Sequence, residues 1–113
     1  MDEICGKVLA ILPTKTFLYK SGGRKGQAGK LQTLIIESED QKLNGCPWYK
    51  YKVLIWSRQM KQFSYISPGK QYRLSHFKQV APSYPNKEKG FYTMEIHLVQ
   101  NSKVELYNPE FDD

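Results

Sequence analysis

The chain has 113 residues, 40% of them apolar and 25% charged, with a net charge of +6. That length supports one hydrophobic core rather than two, the composition excludes wholesale disorder or a fibrous repeat, and no apolar run is long enough to span a bilayer. The opening Met1–Gly6 lacks the basic segment and apolar core of a secretory signal, so an intracellular protein is expected, with Cys5 and Cys46 as reduced thiols.

The elements follow in chain order. Glu3–Leu12 alternates Ile4, Gly6, Val8, Ala10 and Leu12 against Cys5, Lys7, Leu9 and Ile11 before Pro13 stops it, and reads as a strand that Phe17, Leu18 and Tyr19 extend past a bend. Lys20–Lys30 places four glycines and four basic residues in eleven positions, which predicts a flexible basic loop. Leu31–Ser38 is a second strand, ending at the acidic turn Glu39-Asp40. After the Asn44-Gly45-Cys46-Pro47 break, a third strand runs from about Trp48 to Ser57. Arg58–Ile66 carries Met60, Phe63 and Ile66 at three-residue spacing and predicts a short helix stopped by Ser67-Pro68-Gly69. Gln71–Val80 is a fourth strand, and Pro82–Gly90 is a polar loop with Tyr84 near its middle. Phe91–Val99 has the clearest period of two, with Tyr92, Met94, Ile96 and Leu98 facing one way and Thr93, Glu95 and His97 the other. Val104–Tyr107 is a sixth strand or an extension of the fifth. Five or six short strands and one helix suit a small closed antiparallel barrel: an all-β domain over residues 1–107, followed by an acidic tail at 108–113.

The third strand carries most of the functional signal. Its alternation sets Lys50, Lys52, Leu54 and Trp56 on one face and Tyr49, Tyr51, Val53 and Ile55 on the other. It also opens an acid-free block: residues 49–80 hold Lys50, Lys52, Arg58, Lys61, Lys70, Arg73 and Lys78 and no carboxylate. A lysine face ending in an indole suits a polyanion with stackable rings, which describes a nucleic acid strand.

The segment Tyr51-Lys-Val-Leu-Ile-Trp-Ser-Arg-Gln-Met-Lys-Gln-Phe63, followed by Ile66-Ser-Pro-Gly-Lys-Gln-Tyr-Arg-Leu-Ser75, resembles the third strand, helix and fourth strand of the DNA-binding domains in the replication protein A large subunit. The resemblance implies a five-stranded oligonucleotide/oligosaccharide-binding barrel with a helix between strands three and four; this chain shows no sign of that subunit's zinc-bearing module, and no cofactor is expected. It implies a binding role for single-stranded DNA, or RNA, in replication, recombination or repair. Lys52 would meet backbone phosphate, Trp56 and Tyr84 would offer faces to successive bases, and Arg24, Lys25 and Lys30 would close over the strand. Lys50, Leu54 and Arg58 complete the expected contact set. Leu54 departs from the small or polar residue usual at its place in that family.

Catalysis is not expected. Gly29-Lys30 is followed by Leu31, and Arg24 stands where a phosphate-binding loop needs its first glycine. Cys5, Cys46, His76 and His97 show no close pair of the kind that holds zinc. The rival expectation is a protein-docking barrel, with Trp48, Tyr49 and Tyr51 as an aromatic patch or the acidic, Phe111-bearing tail as a recruiting tip.

Overall fold

The structure is a computed structural model, and it describes residues 3–20, 22–38, 50–82 and 90–107, without the side chain of Arg24. Tyr84, Trp48, Tyr49, Cys46 and the tail at 108–113 lie outside the described residues. Eight strands are described: β1 (Glu3–Ile11), β2 (Lys15–Leu18), β3 (Ala28–Glu37), β4 (Lys50–Trp56), β5 (Gln71–Ser75), β6 (Lys78–Val80), β7 (Glu95–Leu98) and β8 (Lys103–Leu106). A short helix, α1 (Ser57–Met60), follows β4 directly.

The strands form one sheet in the order β6-β7-β4-β3-β1-β5-β8, with β2 added beside β3. β5 and β6 are parted only by His76 and Phe77, so the path from β5 on β1 to β6 on β7 is joined by the chain itself and the sheet must curl. The kink is built at His76, which adopts a left-handed φ of 57°. Together β5 and β6 therefore act as the single fourth strand that the sequence suggests, bent so that its first half pairs β1 and its second half pairs β7. Six of the seven strand pairings are antiparallel; the contact of β4 with β7 is parallel, which the expected all-antiparallel arrangement did not contain.

The core fills the inside of this curl. Ile4, Val8, Leu34, Ile36, Tyr51, Val53, Ile55, Tyr72, Leu74, Ile96 and Leu98 are almost wholly buried, each supplied by a strand whose alternate residues turn inward. Two local departures from alternation matter. The register of β1 against β3 shifts between Val8 and Ala10, so Ile4, Gly6 and Val8 face the interior but Ile11, not Ala10 or Leu12, packs on the core beyond the shift. One extra residue at a bulge exchanges the faces of everything after it. The helix expected over Arg58–Ile66 is helical only to Met60 and continues as turns. Its anchors still serve, since Phe63 and Ile66 are buried in the core and Met60 packs against that core. A single turn has too few internal hydrogen bonds to stand without such packing.

Candidate functional site

On β4 the expected faces are realised. Tyr51, Val53 and Ile55 are fully buried, while Lys50, Lys52 and Trp56 are partly exposed on the outside. Tyr51 is thus a core residue, in edge contact with Tyr92 at 5.7 Å, and cannot belong to an aromatic docking patch. Leu54 shares the outer face but is only 5% exposed. It sits in register between Thr33 of β3 and His97 of β7, and forms an apolar floor rather than a protruding contact.

The outer face collects rings that are far apart in sequence. Trp56 lies 5.4 Å from Phe17 between centroids, nearly perpendicular to it, and Phe17 in turn meets Tyr19 at 5.0 Å. On its other flank Trp56 Nε1 donates to His97 Nδ1 at 3.0 Å, with the rings 5.7 Å apart. Phe17 and Tyr19 are same-face neighbours on and just after β2, and His97 pairs across β4. The result is a run of rings, Tyr19, Phe17, Trp56 and His97, crossing β2, β4 and β7.

Gly29 is what lets this run close. It is the register partner of Phe17 on β3, the strand between β2 and β4, and a Cβ built on it would clash with the Cζ end of the Phe17 ring. Without a side chain there, Phe17 lies flat over β3 and reaches Trp56. Gly29 and Lys30 therefore belong to a strand and not to the loop expected over Lys20–Lys30. The true loop is shorter. Tyr19 and Gln27 close it through Tyr19 N to Gln27 O at 3.0 Å, and Gly26, with φ of 84°, donates its amide to Tyr19 O. Lys25 is exposed in this loop and Lys30 is exposed on β3. Ser57 secures the junction of helix and hairpin, its hydroxyl donating to Lys30 O at 3.0 Å and accepting from Lys30 N. Arg58, next along α1, is exposed.

The other end of β4 carries the charge. The Nζ atoms of Lys50 and Lys52 stand 5.7 and 5.6 Å from the centre of the Phe91 ring, within range of a cation–π contact. Phe91 is brought there by a parallel bridge to Lys50, closed by Lys50 N to Gly90 O and Tyr92 N to Lys50 O. The acid-free block of the sequence does not become a single basic patch. Lys50, Lys52 and Lys78 occupy the β4, β6 and β7 surface, but Arg73 is on β5, paired with Glu3 at 3.2 Å and stacked over Tyr107. Carboxylates also enter the surface by pairing, Glu37 opposite Lys50 and Glu95 beside His97.

Of the residues expected at the site, Lys50, Lys52, Leu54 and Trp56 share one strand face; Lys25, Lys30 and Arg58 lie around the hairpin and helix start; Tyr84 and the side chain of Arg24 lie outside the described residues. Phe17, Tyr19, Phe91 and His97 were not expected there. The i, i+2 spacing of Phe17 and Tyr19 is a legible same-face signal; nothing in the sequence ties His97 to Trp56. Among the described residues no three histidine, cysteine or acidic side chains cluster as a metal site, and no helix is long and apolar enough to cross a membrane.

No family model matches the sequence, and no curated protein matches it. Eight chains of solved structures match in fold. One is a chain of a replication protein A heterotrimer bound to single-stranded DNA, with a TM-score of 0.68 at 13% identity. The match covers 93% of this chain and 21% of that one, so the chain spans about a fifth of the length of its structural neighbour. The chain has the oligonucleotide/oligosaccharide-binding fold and in fold resembles replication protein A.

Proposed function

We propose that this domain is a non-catalytic binder of single-stranded nucleic acid, foremost single-stranded DNA, with little sequence preference and a role in replication, recombination or repair. The observation that carries the reading is the outer face of β4, where Lys50 and Lys52 precede Trp56 and its attached rings along one strand. Lysines track the phosphate backbone, and every base has a face that can stack on an aromatic ring. Lys25 and Arg58 add charge near the ring-bearing end, Lys30 lies on the reverse face of β3 there, Leu54 supplies the apolar floor, and by resemblance Tyr84 and Arg24 would add contacts. The structural neighbour was solved with single-stranded DNA, which agrees with the reading.

Anisotropy of a labelled oligothymidine tests it. Binding should weaken steeply with salt, and Trp56→Ala should cost about 5- to 150-fold, the worth of one stacked base. Competition among single-stranded DNA, single-stranded RNA and duplex should rank duplex last. No binding at low salt, or an unchanged affinity for Trp56→Ala, overturns the proposal.

One observation favours a second reading, a protein-docking module. Leu18 is 63% exposed beside an open, mostly apolar pocket of about 660 Å³ lined by Phe17, Leu18, Tyr19, Lys20 and Lys25. An acidic peptide with an apolar anchor fits that chemistry. Under this reading Leu18→Glu abolishes partner binding and oligothymidine never binds.

A further inference from the structure

We propose that His97 is the positioning residue for Trp56: it holds the indole in one orientation and occupies its single hydrogen-bond donor, so that the ring meets a ligand as a surface without a directional polar contact. The proposal deepens the nucleic-acid reading above and rests on it for its binding consequence, though not for its structural one.

The geometry begins with the parallel pairing of β4 and β7, which sets Leu54 opposite His97 and brings Trp56, two residues further along the same face, beside the imidazole. An indole Nε1–H can only donate, so His97 Nδ1, at 3.0 Å, must be the acceptor. A neutral His97 then carries its proton on Nε2. That nitrogen faces Glu95 Oε1 at 3.4 Å, which favours this tautomer. The imidazole is well enclosed, its side chain 15% exposed, and Leu54 in register next to it is buried. Phe17 closes the opposite flank of the indole over Gly29. Trp56 is therefore held from both sides, by an edge contact and by one hydrogen bond.

Two consequences follow. An indole already fixed does not lose rotamer freedom when a ligand stacks on it. Its donor is also withheld from base edges, which leaves a contact that does not discriminate among bases. An imidazolium has no acceptor, so protonation of His97 at Nδ1 must break the bond to Trp56. The charged groups facing His97 are Glu95 on β7, Lys78 opposite it on β6, and Lys52 on the same face of β4.

The test uses the Trp56 indole N–H resonance, assigned by its loss in Trp56→Phe, together with oligothymidine affinity. His97→Gln keeps an acceptor and should retain slow solvent exchange at the indole and near-native affinity. His97→Leu removes the acceptor. It should speed exchange and weaken oligothymidine binding about three- to tenfold, the cost of ordering one side chain on binding. Unchanged indole exchange in His97→Leu, or exchange in His97→Gln as fast as in His97→Leu, overturns the proposal. Should His97→Leu not fold, His97→Ala, which also lacks an acceptor, takes its place with the same expected and overturning outcomes. If native protein and Trp56→Ala alike fail to bind oligothymidine, the nucleic-acid reading falls, while indole exchange in the free protein still decides the role of His97.

Discussion

The two faces of β4 share one backbone and differ in everything else. Inward, Tyr51, Val53 and Ile55 are wholly buried and touch residues from several strands; outward, Lys50, Lys52 and Trp56 keep contact with solvent and are held by a few specific partners, Phe91, Phe17 and His97. The contrast teaches that stability and recognition are written on alternate residues of a single strand. A change on one face need not disturb the other, because side chains separated by the sheet share no packing. Leu54 marks the boundary, outward by alternation yet buried by its neighbours.

The largest expected effect is on the inner face. Ile55→Ala should destabilise the domain by about 2–5 kcal/mol in urea denaturation, as expected for a truncated core side chain, while the folded fraction binds oligothymidine as before. Loss of affinity in that fraction would break the separation of faces. Next comes Gly29→Ala, which forces Phe17 off β3 and should cost about 1–3 kcal/mol in stability as an overpacked contact, with weaker oligothymidine binding because Trp56 loses one flank. If Phe17 stays on Trp56 in a structure of that variant, the role given to Gly29 is wrong. The smallest effect belongs to Lys52→Gln. Its stability should stay within about 0.5 kcal/mol of native, and the slope of log affinity against log salt should fall by about 0.7, the share of one phosphate contact with a single strand. An unchanged slope would remove Lys52 from the phosphate path and sharpen the site toward the ring-bearing end.

Much of the architecture was legible because strand periodicity is local. The alternations in β4 and β7 correctly place Val53, Ile55, Ile96 and Leu98 inside, and the anchors Met60, Phe63 and Ile66 pack as their spacing suggests. The shortfalls are equally specific. Lys20–Lys30 reads as one flexible loop because glycine signals a turn in most settings, but Gly29 serves a close ring contact inside a strand. The β1 bulge escapes notice because alternation looks plausible on either side of it. The acid-free run of residues 49–80 overstates the basic surface, since curling of the sheet carries Arg73 to another side and pairing brings in Glu37 and Glu95.

The sequence by itself determined which residues of each strand share a face, since the two-residue period is a property of the backbone alone. It thereby determined that lysines and an indole stand together on β4. Only the tertiary structure decided what surrounds that indole. Phe17 reaches it across a side-chain gap in another strand, and His97 reaches it through a parallel pairing 41 residues along the chain. Both contacts depend on the register between distant segments, which buried packing over the whole curled sheet fixes and no local pattern records.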